Sequence, residues 1–165
     1  MRFAFKTSPQ NTTWAQLLAV WQAADDIDVY ESGWTFDHFY PIFSDSAGPC
    51  LEGWTTLTAL AQATKRLRLG TLVTGIHYRH PAVLANMAAA LDVISDGRLE
   101  LGIGAGWNEE ESGAYGIESV VEMSLDEVII YHALFVVRGG YISGRVYYLE
   151  RLFCHIPFLS LNTYS

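Results

Sequence analysis

Glu31-Ser32-Gly33-Trp34-Thr35-Phe36-Asp37-His38-Phe39-Tyr40-Pro41 is an aromatic strand that runs straight into an acid and an imidazole. Trp34 and Phe36 favour a pleated conformation, and Gly33 and Pro41 bound the run. Asp37 and His38 therefore fall at the strand's carboxyl end. In a parallel sheet or barrel the loops leaving that end converge on the ligand crevice, whereas the opposite rim mostly carries stability. The competing account of the pair is structural: His38 satisfies a backbone carbonyl and Asp37 caps the next turn.

Upstream, residues 2–6 alternate as a short strand and Ser8-Pro9-Gln10-Asn11 breaks them. Thr13 with Gln16 three residues later predicts a capping box. Trp14, Leu17, Leu18 and Trp21 then recur at helical spacing up to Asp25-Asp26, a stripe read as core rather than as a cofactor box. Downstream, residues 40–53 are long for a connection and rich in Pro, Ser, Asp and Gly, which predicts an active-site loop that covers a ligand. From Glu52 the positions Trp54, Leu57, Thr58, Leu60, Ala61 and Ala63 predict a helix, with Lys65 and Arg66 as cations at its carboxyl end. Residues 67–73 form the next strand.

Thr74 and Gly75 leave that strand, and Gly75 lets a backbone approach a flat ligand closely. His77 and His80 are spaced H-x-x-H, but Pro81 starts a helix only after both, so no metal site is expected. Residues 81–95 are an Ala-rich helix that stops at Asp96-Gly97. A strand over 98–104 then runs into Ala105-Gly106-Trp107-Asn108-Glu109-Glu110-Glu111. Gly102, Gly104 and Gly106 do not make a dinucleotide fingerprint: the register needs Gly at Trp107, and three carboxylates repel a pyrophosphate. A tight strand with a polar rim is the better reading, and at least one of the three Glu faces the site.

With 165 residues, half of them apolar, the chain has enough for a core. A formal charge of −8 and the lack of Lys or Arg clusters argue against nucleic acid or an anionic membrane surface as partner. Cys50 and Cys154 are far apart with no zinc spacing, and no export leader or membrane-span-length apolar stretch is present, so a cytoplasmic protein with reduced thiols is expected. The alternation of strands and helices predicts an α/β fold with a parallel sheet, for which an open sheet and a barrel both fit.

Three blocks in this order and spacing resemble the bacterial luciferase-like monooxygenase family: Trp34 to Phe39; Gly70 to Gly75 with His80 to Ala85; and Asp96 to Trp107. The branch using the deazaflavin coenzyme F420 is the most similar. The resemblance implies a TIM barrel that passes a hydride between F420 and a small organic substrate, with FMN-dependent oxygen chemistry as the alternative. It implies that Asp37 and His38 lie beside the reactive ring and that Thr74 and Gly75 form a bulged strand end against it. Gly106, Trp107 and Asn108 would then also hold coenzyme, and Glu109 would be the acid of that segment. His38, Asp37 and Glu109 are thus the expected catalytic groups.

The resemblance covers residues 1–118 and fades after them, where 119–165 read as a divergent apolar helix, with Ser124 and Glu127 as a cap, and a hydrophobic tail. Tyr141 to Leu149 resembles a short excursion seen in the family. A complete barrel needs about 250 residues, so the chain supplies roughly half, as a partial barrel. Its unpaired edges imply a homodimer or a second half-barrel subunit as partner, or else a shortened relative without turnover.

Overall fold

The computed structural model describes residues 3–118 and the backbone of 145–149. The expected helix capped by Ser124 and the tail from 150 lie outside the described residues. In order the elements are β1 (Phe3–Lys6), α1 (Trp14–Asp25), β2 (Tyr30–Thr35), α2 (Gly53–Ala63), β3 (Arg68–Thr71), β4 (Thr74–Gly75), α3 (Pro81–Ile94), β5 (Leu99–Gly104), α4 (Glu109–Tyr115) and β6 (Arg145–Leu149). Every strand pairing is parallel. The sheet runs β1-β2-β3-β5, with β4 and β6 also against β5. β3 and β4 are one strand course interrupted at Leu72 and Val73, which are joined by a cis peptide bond. Residues 145–149, expected as part of an excursion, are a strand in register with β5.

Leu69, Leu99, Leu101 and Ile103 are buried against α1, α2 and α3 through Trp21, Leu57, Leu60, Leu84 and Leu91. All six residues of β5 are buried, as expected of a central parallel strand covered on both faces. The Thr13–Gln16 capping box opens α1 as the spacing implied, and its Trp21 is fully buried. Trp21 stands edge-on to Phe5 at 5.1 Å and donates its indole N–H to Thr7 Oγ1 at 2.9 Å. Gly33 is the reason it fits: a Cβ there would lie 2.7 Å from both rings. Gly33 thus sits inside β2, not at its boundary, and the strand ends at Thr35, so Phe36 to His38 already belong to the loop.

Two arginines join successive units. Arg66, expected to cap α2, instead gives its guanidinium to the carbonyls of Ala24, Asp25, Ile27 and Tyr30 at the end of α1. Asp25 returns the contact by accepting from the backbone N–H groups of Lys65, Arg66 and Leu67. Arg98 serves the end of α2 in the same way, bonding the carbonyls of Ala61 and Thr64. Helix ends leave such carbonyls without intrahelical partners, and a planar guanidinium satisfies several at once.

The loop after β2 is fastened rather than free. Leu51 N–H bonds Pro9 O at 3.0 Å, Asn11 N–H bonds Pro49 O at 2.8 Å, and the Asn11 amide reaches Ser44 and Asp45. The two loops at the carboxyl ends of β1 and β2 therefore form one ledge beside the site.

Candidate active site

The carboxyl ends of β2, β4 and β5 bring the three expected segments to one rim, as parallel pairing requires. Asp37 and His38 are neighbours in the loop after β2, but their side chains go to different partners. Asp37 is 1% exposed and turns inward, where Arg79 grips it with two bonds of 2.6 and 2.7 Å. Arg79 also bonds Glu52 at 2.6 Å, and Glu52 caps α2 by accepting from the N–H groups of Trp54 and Thr55. Burial pushes the Asp37 carboxyl up to about 6, against the pull of the Arg79 guanidinium. Asp37 is therefore paired with Arg79 rather than with His38.

The acid at His38 is Glu111. Its Oε2 lies 2.7 Å from His38 Nδ1 and accepts Tyr78 O–H at 2.5 Å, while its Oε1 accepts Phe39 N–H at 2.5 Å. The side chain is fully buried. Burial alone would raise its carboxyl, but the bonds from His38, Tyr78 and Phe39 outweigh that and hold it below the usual range. Glu109, the expected acid of this segment, is exposed on the first turn of α4. The reason is the cap: with Asn108 at the N-cap, Glu111 is the third helical residue and faces back over the turn, while Glu109 and Glu110 face solvent. An N-x-x-E pattern is visible in the sequence and would have singled out Glu111. Tyr78 and Arg79 carried no such signal, since only the tertiary fold brings them to residues about 40 positions away.

The remaining expected residues divide into an open and a closed set. Trp107 is 64% exposed, with its ring edge-on to His38 at 5.8 Å, and Gly106 before it has φ +90°, a conformation that favours glycine. Asn108 is buried, and its amide is used on Glu111 N–H and on the Tyr40 hydroxyl. Thr74 is fully buried, its hydroxyl held by Trp54 Nε1 at 2.9 Å and Thr71 Oγ1 at 2.6 Å, behind the rim rather than on it. At Gly75 a Cβ would lie 2.9 Å from the His77 ring and 3.0 Å from Tyr78, so its missing side chain makes room for those rings. His77 and His80 go to different partners: His77 Nε2 bonds Ser112 Oγ at 3.2 Å and His80 caps α3. Burial holds His77 below its ordinary pKa.

Three aromatic features cluster on this rim: the His38 ring, Trp107 5.8 Å from it, and Phe36 6.3 Å from it with the Lys6 ammonium 4.5 Å above its ring. His38 Nε2 has no hydrogen-bond partner among the described residues, and the side chain is 13% exposed.

Comparisons with known proteins address the family. The family model described as luciferase-like monooxygenase matches residues 1–141. The chain is 35% identical over 100 residues to the F420-dependent hydroxymycolic acid dehydrogenase of Mycobacterium tuberculosis, covering 60% of this chain and 27% of that one. It is 34% identical over 89 residues to the 4-hydroxyprotoasukamycin monooxygenase of Streptomyces nodosus subsp. asukaensis, covering 54% and 23%. Among solved structures it is similar to the coenzyme F420-dependent tetrahydromethanopterin reductase of Methanopyrus kandleri, with a TM-score of 0.58, 26% identity, and coverage of 70% of this chain and 30% of that one. The chain thus spans about a quarter to a third of these relatives' lengths, and its parallel sheet is an arc of their barrel. The chain belongs to the luciferase-like monooxygenase family.

Proposed function

We propose that this chain forms part of an oxidoreductase that moves a hydride between coenzyme F420 and a small organic substrate. The observation that carries the reading is His38, braced through Nδ1 by Glu111 and with no partner at Nε2 among the described residues, beside exposed Trp107 on the carboxyl-end rim. The relatives named as F420-dependent support the choice of coenzyme. A flat ring fits this rim, because Trp107 and Phe36 offer aromatic surface on either side of His38.

F420, when bound, supplies the ring carbon that takes or gives the hydride. Oxidising an alcohol carbon to a carbonyl in this way also releases the hydroxyl proton, and the reverse reduction returns it. His38 Nε2 takes up that proton or gives it back, while Trp107 and Phe36 orient the reacting partners and keep water off them. Asp37 stays out of the chemistry and fixes the loop carrying His38 by gripping Arg79.

The coenzyme's anionic tail needs positive charge. Among the described rim residues Arg79 is already shared by Asp37 and Glu52, which leaves Lys6. The phosphate site is therefore assigned to another part of the working protein, supplied by a homodimer partner or a second half-barrel subunit that closes the sheet beyond β1.

The relative named as a monooxygenase favours a second reading, in which FMN is the coenzyme and dioxygen the oxidant. Titrating the full chain with F420 and with FMN, alongside its mass in solution, separates the readings. Binding of F420 by an assembled species is expected; preference for FMN selects the second reading, and a stable monomer that binds neither overturns both.

A further inference from the structure

We infer that Glu111 is a positioning residue that locks His38 in the Nδ1–H tautomer, leaving Nε2 as the one imidazole nitrogen that trades protons at the rim. The argument is a count of donors and acceptors. Glu111 accepts from Phe39 N–H through Oε1 and from Tyr78 O–H through Oε2. An ionised carboxylate has no hydrogen to give. The 2.7 Å contact between Glu111 Oε2 and His38 Nδ1 therefore requires the hydrogen on Nδ1. Neutral His38 then carries its lone pair on Nε2, which has no partner among the described residues.

The surroundings of the ring reinforce the choice. Tyr78 O–H, 3.4 Å from His38 Nδ1, is committed to the nearer Glu111 oxygen, so it does not compete as a donor to the imidazole. The other neighbours, Phe36 and Trp107, meet the ring edge-on and present no acid or base. His77, the next titratable group, is occupied with Ser112. Glu111 also ties three chain segments together: the loop after β2 through Phe39, the loop after β4 through Tyr78, and the start of α4 on which it sits. A carboxylate so constrained cannot swing away without stranding the Phe39 N–H and the Tyr78 hydroxyl.

The consequence for turnover rests on the hydride-transfer reading above, but the tautomer does not. The test is nitrogen NMR of the full chain labelled at histidine, without coenzyme, at a pH where His38 is neutral. The expected spectrum has a proton-bearing Nδ1 and a bare Nε2 at His38, assigned by loss of the signals in His38→Asn. A bare Nδ1 with a proton-bearing Nε2 in the wild-type chain overturns the proposal without any variant having to fold. In Tyr78→Phe, which keeps the ring and Glu111, the Nδ1–H tautomer is expected to persist; in Glu111→Ala it is expected to give way to the Nε2–H form. A Glu111→Ala protein that folds and keeps the wild-type tautomer also overturns it. Because no coenzyme is present, a chain that shows the expected tautomer yet binds neither F420 nor FMN removes the functional reading alone.

Discussion

Glu111 on α4 lies 2.7 Å from the imidazole of His38, although 73 residues separate them. The contact makes the stability of the fold depend on acid. The folded carboxyl titrates below its ordinary value of 4.5, so the unfolded chain binds more protons in the window between the two values. The stability Glu111 contributes is therefore complete above about pH 4.5 and is lost as the pH falls through the folded value. Urea midpoints across this range are expected to fall with pH in the wild type. The fall should be shallower in Glu111→Gln, which has no carboxyl to protonate.

Removal of Arg79 should be costly at neutral pH and less so in acid. Asp37 is 1% exposed and Arg79 is its counter-charge, and stripping one member of a buried pair typically costs about 3–5 kcal/mol. In Arg79→Met burial is left unopposed and pushes the Asp37 carboxyl further up, so protonation relieves the unpaired charge. The deficit relative to wild type, measured by urea unfolding, is expected to shrink as pH falls from 7 towards 4.

Two glycines predict opposite signs. A Cβ on Gly102 would lie 2.2 Å from the carbonyl oxygen of Thr71, a backbone atom held in the sheet, so Gly102→Ala should destabilise by at least about 2 kcal/mol. A Cβ on Gly113, within α4, meets nothing within 4 Å, and Gly113→Ala should stabilise by roughly 0.5–1 kcal/mol because Ala favours the helix. Thermal melts of both variants check the pair.

Cys50 should be a slow nucleophile. Burial, and then the nearby charges of Glu111 and Glu52, push its thiol from 9.0 up to about 11, and the thiolate is the reactive form. In a Cys154→Ser background its alkylation by iodoacetamide at pH 8 is expected to be about a hundredfold slower in the native chain than in urea.

Replacement of His38 by Asn should lower hydride transfer in the assembled protein by about 10²–10⁴-fold, the usual worth of a positioned acid-base group. Coenzyme affinity, followed by fluorescence, is expected to change little. A His38→Asn protein with the wild-type rate would remove the imidazole from the proposed chemistry.

Much of this was legible in the sequence because it is local. The Thr13–Gln16 cap, the Trp21 stripe and the start of α3 at Pro81 follow from spacing and from proline's fixed φ. The rim was legible too, because parallel strands place successive carboxyl ends together. The carboxylate that reaches His38 is Glu111, three residues after the Asn108 cap, rather than Glu109. Arg66 shows the same limit: its charge suggested the end of α2, but three-dimensional proximity gave it to α1.

By itself, then, the order of residues determined the parallel α/β units, the rim on which His38 stands and the family, because hydrophobic period, turn residues and short motifs act over a few positions. Only the tertiary structure decided which carboxylate meets which cation or imidazole. Asp37 went to Arg79 and Glu111 to His38 because a buried charge settles on whatever partner the packing brings within reach.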